Sequence, residues 1–133
     1  MFTSMIPMLL CGLLVIPFAT AVSAQTPTGK KPVRHIVVFK YKAGASAEQI
    51  NQVTQAFRDL KNKIPGIIAF EDGVNNSPEK KNLGFTHVYV VTFEDVAARD
   101  AYLPHPEHKK FVQLLGKLGV LEDAFVVDYV PAG

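Results

Sequence analysis

The sequence predicts an α+β fold with one layer of helices on one face of a four-stranded sheet. Three observations carry this. Four segments are rich in β-branched and aromatic residues at strand spacing, and two stretches repeat apolar residues every three or four positions. Pro and Gly fall between these segments and hardly ever within them. With 133 residues, 48% apolar and 20% charged, the composition is that of one globular domain, and it excludes a disordered tail, a collagen-like repeat or a cysteine-stapled mini-protein. A formal charge of +2 offers no concentrated basic face of the kind that phosphate-backbone binding requires, which argues against nucleic acid.

The first 29 residues contain no Asp, Glu, Lys, Arg or His. Within them, residues 5–24 form an apolar run that ends in Val22, Ser23 and Ala24, the small-residue pattern of a signal-peptidase site. The expectation is export, with cleavage after Ala24. The alternative is an uncleaved membrane anchor through residues 5–24, since the n-region lacks Lys and Arg and the run is long enough to span a bilayer. Cys11, the single cysteine, lies inside this run, so cleavage leaves no thiol chemistry. Residues 25–32, with two prolines and a glycine, are expected to be a flexible linker, and the folded domain to occupy residues 33–130.

Residues 34–41 are read as the first strand, ended by Gly44, Ala45 and Ser46. Ser46 followed by Gln49 has the form of a capping box, and Ile50, Val53, Phe57, Leu60 and Ile64 make one helical stripe that Pro65 and Gly66 stop. Residues 67–74 are the second strand, 75–84 a polar loop and 85–93 the third strand. A short helix over 95–102 is broken by Pro104 and Pro106. Pro106 suits the first position of a further helix, which Phe111, Val112, Leu115 and Leu118 carry to Gly119. Residues 122–130 are the last strand. The resulting βαββαβ order is ferredoxin-like.

Right-handed crossovers place both helical connections on one side of a single sheet. The third and fourth strands are nonetheless apolar on both faces: Val88 and Val90 alternate with Tyr89 and Val91, and Phe125 and Val127 with Val126. The uncovered face is expected to meet an identical sheet in a two-fold homodimer.

Three segments carry a family resemblance: Arg34 and His35 leading into Ile-Val-Val-Phe-Lys on the first strand, residues 84–93 around His87 on the third, and Tyr-Leu-Pro-His-Pro-Glu-His-Lys-Lys-Phe over 102–111. Together they resemble the stress-responsive A/B barrel (Dabb) family of dimeric α+β barrels over about residues 33–130. The resemblance implies a barrel made of two sheets with the helices outside. It implies function far less directly, because a fold does not determine an activity. The enzymatic branch typified by olivetolic acid cyclase closes an aromatic ring by aldol chemistry without a cofactor. Carried over to that pattern, Tyr102 and His108 match its catalytic pair, and His35, His87 and Phe111 its pocket wall. Tyr89 departs from the pattern, standing where that branch has a smaller aliphatic residue.

The residues support related chemistry on their own. His108 precedes Phe111, Val112 and Leu115 by three, four and seven positions, so its ring is expected on the inner face of the last helix. A neutral imidazole there suits a general base, with the Tyr102 phenol as a hydrogen-bond donor to a developing enolate oxygen. The competing structural reading has His105 capping the helix and His108, His35 and His87 serving as packed, hydrogen-bonded barrel histidines. For His105, framed by two prolines, the structural reading is preferred. His105 and His108 lack a third ligand at metal spacing, and no phosphate loop, Ser or Cys nucleophile motif or redox pair occurs, so no metal or cofactor is expected. Three functions remain: an exported, dimeric pocket protein for a small apolar or phenolic ligand, a cofactor-free cyclase or lyase, and a structural or assembly protein.

Overall fold

The computed structural model describes residues 29–132. The expected cleavage site and residues 25–28 of the linker lie outside them; within them, Lys30 is 3.3 Å from both Glu94 and Asp95.

Strand β1 (Val33–Tyr41) turns Val33, His35, Val37 and Phe39 to one face and buries all four. Helix α1 (Ala47–Lys63) starts where expected: Ser46 Oγ accepts from Gln49 N at 3.1 Å, and Gln49 Oε1 accepts from Ser46 N at 3.0 Å. Its stripe buries Val53, Phe57 and Leu60, with Ile64 continuing it at the C-cap. Gly66 then turns the chain at φ +90°, and a Cβ there would lie 2.6 Å from the Ala98 Cβ, so the position excludes every side chain on both grounds.

Strand β2 (Ile67–Val74) leads through the loop to β3 (His87–Phe93), two residues shorter than the expected 85–93. Phe85 is held by the loop instead of the ladder: its N–H donates to Asn82 O and its carbonyl accepts from Asn82 Nδ2, both at 2.8 Å. Helix α2 (Val96–Tyr102) is capped by Asp95, whose carboxylate accepts from Ala98 N at 2.8 Å. Helix α3 (Pro106–Leu118) is capped by His105, whose Nδ1 accepts from Glu107 N at 3.2 Å, the structural role read for that residue. Gly119 ends α3 in the left-handed conformation, φ 61°. Strand β4 (Leu121–Tyr129) begins and ends one residue earlier than expected.

The sheet order is β2-β3-β1-β4 with every neighbouring pair antiparallel, the ferredoxin-like arrangement. Register places Val37 opposite Tyr89 and Val126, and His35 opposite Val91 and Asp128. The helices cover this face over β1 and β3, while on β4 Val126 stays 54% exposed. The core is an aromatic stack in which Phe57 lies 4.5 Å from Phe111 and 5.1 Å from Tyr89, ring centre to ring centre. On the opposite face Phe125, Val127 and Tyr129 are 45–49% exposed. That is the uncovered apolar surface the alternation predicts.

Candidate functional site

Where α2 ends and α3 begins, the chain turns beside β1 and β4. The helices stand off from the sheet there and leave a cavity of about 440 Å³ lined mainly by apolar side chains, among them Val37, Phe57, Phe111, Leu115 and Val126. That volume lies in the lower half of the range for small-molecule sites. Four polar side chains reach its wall: His35 from β1, Asp128 from β4, Tyr102 from the end of α2 and His108 from the first turn of α3.

Tyr102 is wholly buried. Its ring centre lies 5.0 Å from Phe93, 5.7 Å from His35 and 4.2 Å from His108. Among the described residues, its hydroxyl is the one buried side-chain polar atom without a hydrogen-bond partner. Burial, reinforced by the negative charge of Asp128, holds the phenol well above its usual pKa range, so it is a donor and not a phenolate.

The tautomers follow from the partners. His108 Nδ1 sits 3.0 Å from the Leu103 carbonyl oxygen. A carbonyl only accepts, so Nδ1 carries the proton and Nε2 of the neutral ring keeps its lone pair. His35 Nδ1 likewise donates to Asp128 Oδ1 at 2.6 Å, and the other Asp128 oxygen accepts from Arg99 Nη1. Burial lowers the pKa of His35; Asp128 opposes the shift, while His108 and Arg99 add to it. The two imidazoles therefore line one cavity, each anchored through Nδ1.

The structure thus brings together four of the predicted residues, Tyr102, His108, His35 and Phe111, and separates two. His87 and Tyr89 line another depression, of about 350 Å³, between α1 and the β2–β3 side of the sheet. There His87 Nδ1 is 2.8 Å from Thr86 Oγ1, its ring packs edge-on against Tyr41 at 4.9 Å, and burial lowers its pKa. Asp128 and Arg99 were missed. The available signal was Asp128 itself, a carboxylate at an inward position of a strand whose other inward residues are Ala124 and Val126. No three His, Cys, Asp or Glu side chains cluster as metal ligands among the described residues.

The family model of the Stress responsive A/B Barrel Domain matches residues 33–131. The chain belongs to this family. Within the stress-responsive A/B barrel family it is 35% identical over 102 residues to the stress-response A/B barrel domain-containing protein HS1 of Arabidopsis thaliana, covering 77% of this chain and 92% of the relative. It is 29% identical to olivetolic acid cyclase of Cannabis sativa, covering 74% and 96%. Of solved structures, the hydroxynitrile lyase from Passiflora edulis superposes with a TM-score of 0.70 at 30% identity, covering 77% and 95%. A dimeric ferredoxin-like protein from Jannaschia sp. CCS1 superposes with 0.64 at 25% identity, covering 75% and 99%. Proteins similar to this chain thus include one named as a cyclase, one named as a lyase and one that is dimeric.

Proposed function

We propose that this A/B barrel protein is exported, pairs as a homodimer through its open sheet face, and binds in each protomer a small, largely apolar molecule bearing a carbonyl or hydroxyl oxygen. The observation that carries this reading is that Tyr102 lines an apolar cavity while its hydroxyl, shielded from solvent, has a proton to donate and no acceptor. A buried donor without a partner costs folding free energy, about 1–3 kcal/mol, and a ligand oxygen recovers part of it. Dimerisation is supported by the exposed Phe125, Val127 and Tyr129 and by the dimeric relative. Export is supported by the apolar, uncharged N-terminal run with its small-residue ending.

One observation favours a reaction in the same cavity: His108 keeps a free Nε2 beside the Tyr102 ring. In this reading Nε2 takes a proton from carbon next to a carbonyl, and the C–H electron pair moves into an enolate whose oxygen accepts from Tyr102. The enolate then attacks a second carbonyl or collects the proton again. The cyclase and lyase relatives, at 29% and 30% identity, support carbonyl chemistry of this type.

The test is deuterium exchange. In heavy water the protein is expected to exchange the methyl protons of acetophenone, read by proton NMR, and His108→Ala to lose exchange while still binding the ketone. Binding without exchange in the parent protein leaves a pocket protein; no binding of any aryl ketone removes the carbonyl reading. Sedimentation at submicromolar concentration is expected to give a dimer, and N-terminal sequencing of the exported product a chain that starts at Gln25.

A further inference from the structure

The helix side of the sheet holds two depressions, and three aromatic rings make the wall between them. Phe39 and Phe57 line the first, Tyr89 the second, and the Tyr89 ring centre is 5.1 Å from each phenylalanine. Tyr89 is also pinned. It projects from the middle of β3, 1% exposed, and its hydroxyl lies 3.0 Å from Tyr41 Oη on β1 and 2.8 Å from Thr54 Oγ1 on α1. A phenol has one proton, so it donates to one neighbour and accepts from the other, and its ring is clamped between sheet and helix. The hydroxyl therefore does not serve the cavity at Tyr102 at all: its hydrogen bonds are spent on holding the ring in place. The second depression, on the far side of that ring, is open and rimmed by polar side chains such as Asn51 and Asp72.

We infer that Tyr89 is a partition that sets ligand length. It backs Phe39 and Phe57, the rings that wall the Tyr102–His108 cavity on that side, and keeps them from giving way, so that the protein selects compact molecules and rejects those with a longer apolar tail. Replacing its ring by a small aliphatic side chain gives Phe39 and Phe57 room to turn aside, and the cavity then lengthens into the second depression, with His35 and His108 near one end and His87 at the other. This deepens the reading of the cavity as a carbonyl-ligand site and rests on it.

The test uses the phenyl alkyl ketones from acetophenone to heptanophenone, with binding measured by calorimetry on the parent protein, Tyr89→Val and Tyr89→Phe. A tail that enters apolar space gains about fourfold in affinity per methylene, from about 0.8 kcal/mol per buried CH₂. The parent is expected to show that gain for the first members and then a break. In Tyr89→Val the gain is expected to continue for at least two further methylenes. Tyr89→Phe, which keeps the ring and loses the clamp, is expected to break where the parent does. The same break in all three proteins overturns the partition. Failure of every ketone to bind any of the proteins removes the carbonyl reading instead, and the partition is then judged on a ligand-free crystal structure of Tyr89→Val. There a continuous cavity upholds it, and Phe39 and Phe57 still closing that end of the cavity overturn it. If Tyr89→Val does not fold, Tyr89→Leu with Thr54→Val replaces it, since the double variant keeps more core volume and removes the half-buried Thr54 hydroxyl with its partner.

Discussion

Tyr102→Phe is expected to make the protein more stable and less able to bind. In the resting protein the Tyr102 hydroxyl has left water and found no partner, while the ring packs against Phe93, His35 and His108 at 5.0, 5.7 and 4.2 Å. Phenylalanine keeps all three ring contacts and removes only the unpaired oxygen. The desolvation penalty released is about 1–3 kcal/mol, against a destabilisation near 1 kcal/mol for a typical substitution. For a domain of this size each kcal/mol moves the midpoint by about 4–8 °C, so thermal unfolding followed by far-ultraviolet circular dichroism at pH 7.5 should show a rise of at least about 4 °C. Affinity for acetophenone should fall by up to about tenfold, the worth of one net hydrogen bond. An unchanged or lowered midpoint would refute the reasoning, because it would mean that the hydroxyl is already satisfied and is not held ready for a ligand.

Three further outcomes follow from the geometry. His35 and His87 both have pKa values lowered by burial, so the folded state resists their protonation. Stability is then complete above the unfolded histidine value near 6.5 and is lost as pH falls from there through the folded values. The unfolding midpoint should be flat from pH 7.5 to 6.5 and decline toward pH 5, and Asp128→Asn should deepen the decline by removing the partner that favours His35 protonation, visible as a lower His35 pKa in an NMR titration. Ser46→Ala removes one bond of the capping box and should cost about 1 kcal/mol in urea unfolding with ketone affinity unchanged, since α1 begins far from Tyr102. Gly66→Ala should cost more than Ser46→Ala in the same assay, because it adds left-handed strain to a 2.6 Å clash with the Ala98 Cβ.

Much of the site was legible because it is written in short-range signals. The two prolines around His105 and the stripe from Phe111 placed His108 on an inward helix position, and Tyr102 as the last residue of α2 lay six positions away, close enough for one turn to bring the rings together. His87 and Tyr89 lie apart from that cavity for a definite reason. Alternation puts them on the same face of β3 as Val91, and that is where they are, but a face is wider than a cavity. The Phe39, Phe57 and Tyr89 rings, brought from three elements, divide it. Asp128 and Arg99 were hidden because their significance depends on antiparallel pairing of β1 with β4 and on the rotamer that carries Arg99 from α2 to that strand.

What the chain determined by itself is what local chemistry can encode: where helices start and stop, which side of each strand is apolar, and therefore a sheet covered on one face and greasy on the other. Caps, prolines and residue spacing act within a few positions and need no distant partner. The tertiary structure alone decided which inward residues share a space. It left the Tyr102 hydroxyl without an acceptor, anchored His35 and His108 through Nδ1, and clamped the Tyr89 ring between sheet and helix, because each of those outcomes rests on side chains far apart in sequence competing for the same few ångströms.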